Sequence, residues 1–220
     1  MKQPNRERKT EIKYQLTLNE EQKEAKRLIV DNQIVVITGR AGCGKSLVSA
    51  QAALDFLFKK QISQILVTRA TIEVGNSLGF LPGTIGDKFN PYLEAFMENI
   101  SKCYDKARME AIINEGKVVA YPVQFIRGKT IDNILIVEEA QNLTKPQMLA
   151  ILTRLGKDGK IIINGDLEQS DIREGYTGLH YAIELSKRIS EIKHIKLAHN
   201  HRSDLVGQIL DFEYKGITTH

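Results

Sequence analysis

Apolar positions along this chain change their spacing repeatedly, and the changes mark out elements. From Leu18 the spacing is helical: Ala25, Leu28 and Ile29 share one face of LNEEQKEAKRLIVDN, and Asn19 stands where an N-cap belongs. The next run, QIVVITG, is short, β-branched and apolar almost throughout, as expected of a strand covered on both faces. The alternation then repeats. LVSAQAALDFLFKK reads as a helix, ISQILVT as a strand, and NPYLEAFMENISKCYDKARMEAII as one or two helices with Tyr92, Leu93, Phe96 and Ile100 packed in the core. VQFI, NILIVEE and GKIIINGD read as further strands, with TKPQMLAILTRLG as the helix between the last two. IKLAH reads as a late strand, and GYTGLHYAIELSKRI and DLVGQILDFEY as helices. Strands alternating with helices predict an α/β fold, with helices on both faces of a mostly parallel sheet.

The opening MKQPNRERKTEIKYQ is charged and has no periodic apolar positions. Residues 1–15 are therefore expected to form a flexible basic tail, and 16–220 a single domain. A chain of 220 residues has the length of one ordinary domain and enough apolar content for a core. No run approaches the roughly 18 apolar residues of a membrane span, so no membrane partner is expected. Two cysteines, Cys43 and Cys103, with no apolar signal region set the expectation of a reducing compartment, the cytoplasm. A net charge of +4 permits a polyanionic partner without requiring one.

The strongest chemical signal is GRAGCGKS at 39–46. Gly39, Gly44, Lys45 and Ser46 fit the phosphate-loop spacing without a gap, after a buried strand and before a helix. Glycines let the loop turn tightly, so that the amides of Gly39, Arg40, Ala41, Gly42, Cys43 and Gly44 and the following helix N-terminus can face a phosphate chain. Lys45 is expected to reach the terminal phosphates of ATP, and Ser46 to hold Mg²⁺ by its hydroxyl. Cys43 is expected to line the turn.

Such a loop needs acids. In ILIVEEAQN an apolar strand ends at Glu138 and Glu139, the end at which open α/β sheets bind ligands. Glu138 is expected at the metal, acting through a bound water because Glu is longer than the usual Asp, and Glu139 as the base that polarises the hydrolytic water. In INGDLEQSD, Asp166 and Gln169 follow another strand; Gln169 is expected to sense the γ-phosphate.

With these residues in place the chain resembles the PhoH-like family of P-loop ATPases and, more distantly, the first motor domain of superfamily 1 helicases. The likeness is carried by the phosphate loop, by residues 67–96 and 125–156, and by INGDLEQSDI at 163–172, and it spans most of residues 18–212. It implies a three-layer RecA-like domain. It also implies that Gln22, in LNEEQKEA, selects the adenine base, and that Arg202, in LAHNHRSD, is an arginine finger. Arg69, Arg127 and Arg154 are further cations for phosphates or for a neighbouring subunit's site. The sequence departs from the family at Glu138, where an Asp is usual. No second motor domain follows within these residues, so work on single-stranded RNA or DNA would require a homo-oligomer such as a hexameric ring.

Three readings stay open: an Mg²⁺-dependent ATPase with helicase-like activity, a non-hydrolysing ATP switch or ring scaffold, and a small-molecule kinase. The pair His199 and His201 is not expected to hold a metal, having no third ligand nearby. GFLPG at 79–83 is either a packed turn or a contact for nucleic acid or a subunit.

Overall fold

A computed structural model of the chain describes residues 14–69, 96–98, 104–170 and 175–199. Helix α1 (Glu20–Asp31) begins where its cap chemistry dictates. The Asn19 side chain accepts from the Gln22 amide, and the Gln22 side chain accepts from the Asn19 amide, a reciprocal capping box. Strand β1 (Ile34–Thr38) is buried at all five positions. Helix α2 (Lys45–Phe58) follows the glycine-rich loop, and β2 (Ile65–Arg69) follows α2. The remaining elements are α3 (Lys106–Asn114), β3 (Val118–Ala120), α4 (Val123–Ile126), β4 (Ile134–Glu138), α5 (Lys145–Leu152), β5 (Lys160–Gly165), α6 (Gly178–Arg188) and β6 (Ile192–Lys196).

Among the described residues six strands form one parallel sheet in the order β3-β2-β4-β5-β1-β6. Side chains alternate across it. Val35, Ile37 and Ile136 join Ile29, Leu54 and Met109 beneath α1, α2 and α3, whereas Val36, Leu135 and Val137 join Ile126, Met148 and Leu179 beneath α4, α5 and α6. Both faces are therefore covered, which explains why the strand sequences are nearly continuous apolar runs. The chain leaves β1 across β5 and β4 to reach β2, so the carboxyl ends of β1, β5 and β4 lie side by side at the switch in strand order.

Three local expectations are corrected. VQFI is not a strand but the short helix α4, entered through Pro122 in an extended conformation; the strand at this edge is Val118–Ala120, which pairs with β2. The late strand runs from Ile192, three residues before IKLAH, because its register is set by β1, with Ile34 opposite Ile192. Tyr14 lies in the expected tail yet is anchored: its hydroxyl shares its one proton between the Gln51 carbonyl at 2.9 Å and Asp55 Oδ1 at 2.8 Å. Residues 1–13, GFLPG and DLVGQILDFEY fall outside the described residues. Among the described residues, no helix is long and apolar enough to cross a membrane.

Candidate functional site

The loop between β1 and α2 takes its shape from glycines at positive φ: 151° at Gly39, 91° at Gly42 and 88° at Gly44. Space as well as torsion demands two of them. A Cβ on Gly39 would lie 2.4 Å from the Leu197 carbonyl oxygen, and one on Gly44 would lie 2.4 Å from Gln22 Nε2. Lys45 opens α2 directly after the turn, so the unpaired amides of the first helical turn and the positive end of the helix dipole face the loop. The Lys45 ammonium donates to the carbonyls of Gly39 at 2.5 Å and Arg40 at 3.3 Å. Across the loop, the Ala41 amide donates to Asp166 Oδ2 at 3.1 Å, and Arg40 pairs with Glu168 at 3.0 Å.

Glu138 is the last residue of β4 and is gripped from two neighbouring elements. Ser46 Oγ donates to its Oε2 and Asn164 Nδ2 to its Oε1, each at 2.9 Å, while Asn164 Oδ1 accepts from Ser49 Oγ at 3.0 Å. Burial pushes the Glu138 carboxyl above its ordinary value, and these donors offset only part of that shift. A hydroxyl and a carboxylate oxygen meeting here form a hard donor pair of the kind Mg²⁺ takes, with phosphate oxygens and waters left to complete its shell. Among the described residues there is no group of three His, Cys, Asp or Glu side chains able to hold a metal without such help.

Glu139 has a left-handed backbone, φ 52° and ψ 44°, at the start of a 3₁₀ turn over Ala140–Asn142. That kink turns its side chain onto a fixed donor: Gln141 Nε2 bonds Glu139 Oε2 at 2.6 Å. Gln141, 1% exposed, accepts on its other amide atom from the Asp166 amide at 3.0 Å. Arg69, at the end of β2, lies 3.8 Å from Glu139 Oε1. A chain of contacts thus runs from the Ala41 amide through Asp166 and Gln141 to Glu139 and Arg69.

The structure brings together Gly39 through Ser46, Glu138, Glu139 and Asp166. Gln169 lies close to this group, half-buried, with its amide on the Asp166 carbonyl at 3.2 Å. Gln22, expected at the adenine base, also touches the loop. It is 1% exposed, its Nε2 donates to the Cys43 carbonyl at 3.0 Å and its Oε1 accepts from Asn19, so its amide holds the loop from below. Cys43 is buried and its thiol is pushed above its ordinary value by burial, consistent with lining the turn. Arg202 falls outside the described residues. The approach to it is tethered: Glu21 accepts from the amides of Ala198 at 2.9 Å and His199 at 2.7 Å. Burial opposes ionisation of Glu21, yet these two amides leave its carboxyl below the ordinary value. Arg127 and Arg154 are not at this edge; they meet beside the Ile131–Leu155 bridge, which precedes β4 and β5.

Sequence reasoning missed Asn164, Gln141 and Glu21. A polar residue inside an otherwise apolar strand was the available signal for Asn164.

The family model described as PhoH-like protein matches residues 16–213. Protein PhoH of Escherichia coli (strain K12) is 38% identical over 173 residues, covering 77% of this chain and 49% of that protein. The PhoH-like protein of Mycobacterium leprae (strain TN) is 35% identical over 186 residues, 82% of this chain and 53% of that protein. The chain therefore spans about half the length of these curated relatives. Among solved structures, the large terminase from a thermophilic bacteriophage matches with a TM-score of 0.57 at 13% identity, covering 92% of this chain and 52% of that one. The UvsW helicase from bacteriophage T4 matches with a TM-score of 0.51 at 13% identity, covering 82% and 60%. At such identities the likeness concerns the fold, and it agrees with a three-layer RecA-like domain.

Proposed function

This chain belongs to the PhoH-like protein family, and on that premise we propose that it is an Mg²⁺-dependent ATPase that acts on single-stranded RNA or DNA as a homo-oligomer. The observation that carries the reading is the convergence at one sheet edge of the glycine-shaped loop, the Ser46–Glu138 pair and Glu139.

In this reading the loop amides and Lys45 bind the triphosphate, the ammonium exchanging the Gly39 and Arg40 carbonyls for phosphate oxygens. Ser46 and Glu138 would hold Mg²⁺, and Asn164 fixes the orientation of the Glu138 carboxylate. A bound Mg²⁺ would draw negative charge from the β and γ oxygens. Glu139 takes the proton of the attacking water, Gln169 senses the γ-phosphate, and Arg202 stabilises the charge that develops there. Gln22 supports the loop. Residues 16–220 act as one domain, and a ring of copies supplies the second wall of the cleft.

Glu138 also favours a second reading, a switch that binds ATP without turning it over. Its carboxyl is already engaged by Ser46 and Asn164, and it is one methylene longer than the Asp usual at this place, so a bound metal would meet a longer side chain. Phosphate release separates the two. Wild type should hydrolyse ATP, with faster release when single-stranded RNA is added at low salt. Lys45→Ala should lose binding, and Glu139→Gln should bind without release. A wild type that binds but releases nothing, together with a Glu138→Asp variant that gains turnover, would establish the switch.

A further inference from the structure

A groove of about 520 Å³ runs between α4 and α5, lined by Arg127, Pro146, Leu149, Ala150, Thr153 and Arg154. Two of the six lining residues are cations, Arg127 and Arg154, and none is Asp or Glu. The chain as a whole has 31 basic and 27 acidic residues, so this separation of charge is local. The carboxylates closest to the two arginines along the chain, Asp132 and Asp158, sit on the turns leading into β4 and β5.

Apolar surface accompanies the charge. Phe125 on α4 is 49% exposed and Leu149 on α5 is 44% exposed. Arg154 Nη1 donates to the Arg127 carbonyl at 3.1 Å, which holds the two arginines at the same end of the groove. Lys129 lies over the Tyr121 ring, 4.7 Å from its centroid, and Lys145 is turned instead towards Tyr181 on α6.

We infer that the groove between α4 and α5 binds single-stranded nucleic acid, with Arg127 and Arg154 on backbone phosphates and Phe125 as a stacking platform for a base. Cations with no carboxylate among the lining residues suit a polyanion, and the exposed Phe125, two residues before Arg127 on α4, offers a ring suited to the flat faces of unpaired bases. The groove also has a route to the nucleotide edge: α5 starts at Lys145, only a 3₁₀ turn and two residues beyond Glu139. A strand seated on α5 therefore bears on the segment that sets the pose of Glu139. The assignment rests on the nucleic-acid half of the proposed function and is independent of ATP turnover.

The test is binding of a short fluorescent oligouridylate, followed by anisotropy across a salt series, with a fluorescent ATP analogue measured in parallel. Wild type should bind the strand. Arg127→Gln with Arg154→Gln should weaken binding at least about tenfold at low salt and flatten the salt slope by about 1.4, roughly 0.7 for each phosphate lost. Phe125→Ala should weaken binding roughly tenfold and leave the slope unchanged. Arg127→Gln alone keeps the Arg154 guanidinium and its bond to the residue-127 carbonyl, so weaker strand binding in that variant is not a folding artefact. ATP-analogue binding should stay at the wild-type level in every variant. Variants that bind the strand as wild type does would overturn the assignment, as would a wild type that takes an acidic peptide but no oligonucleotide. Loss of analogue binding in wild type would count against the ATPase reading alone, because strand binding is read directly.

Discussion

The two ends of the sheet are built from the same parallel ladder but are closed by different chemistry. At the carboxyl end most polar contacts join side chains, Ser46 and Asn164 to Glu138 and Gln141 to Glu139, and Asp166 takes the Ala41 amide. At the amino end the partners are mostly main chain. Asn133 Oδ1 accepts from the amides of Ser63 and Gln64, and Lys160 Nζ donates to the carbonyls of Ile29, Val30 and Asn32, closing the C-terminus of α1. One end devotes its polar groups to orienting acids and the other to holding elements together. Substitutions at the first should change turnover with little loss of fold, and those at the second should do the reverse.

The sharpest break in that contrast is expected at Glu139. Glu139→Gln should lower phosphate release by about 10²- to 10⁴-fold while ATP binding persists. Next comes Gln141→Met, which leaves Glu139 without its donor at 2.6 Å. The maximal rate should fall roughly tenfold with the half-saturating ATP concentration little changed. At the other end, Lys160→Met should cost about 1–2 kcal/mol in urea unfolding, since three carbonyls lose a charged donor. Turnover per folded molecule should hold.

The smallest effect tests whether the carboxyl end is stabilising at all. Because the Glu138 carboxyl is raised above its ordinary 4.5, the folded state prefers the protonated form. Its contribution to stability is therefore complete below the unfolded value and is lost as pH rises through the folded one. Glu138→Gln should melt a few degrees higher than wild type at pH 8, and that advantage should shrink as the pH approaches 4.5, as thermal melts in the absence of nucleotide would show.

Contiguity decided what could be read from the sequence. The phosphate loop and the acids after ILIV are short uninterrupted strings, and both stand where the strings place them. The large helices and central strands follow from periodicity for the same reason. Val118–Ala120 and Val123–Ile126 do not, because three or four apolar residues fit either period and the sheet edge decides between them; Pro122 was the one local clue. Asn164 and Gln141 were hidden for a different reason. Each bonds a residue distant in the chain, Asn164 to Glu138 and Gln141 to the Asp166 amide, and the short bond from Gln141 to Glu139 depends on a left-handed turn that the string EEAQN does not announce. The use of Gln22 beneath the loop likewise depends on the absence of a Cβ at Gly44.

The left-handed turn at Glu139 has a practical corollary for anyone selecting heat-resistant forms of this protein. Holding an L-residue at φ 52° costs about 1–2 kcal/mol, a penalty that glycine escapes. Screening for thermal survival alone would thus reward Glu139→Gly, a sturdier molecule stripped of its proposed base, and durability and catalysis would part company at a single codon.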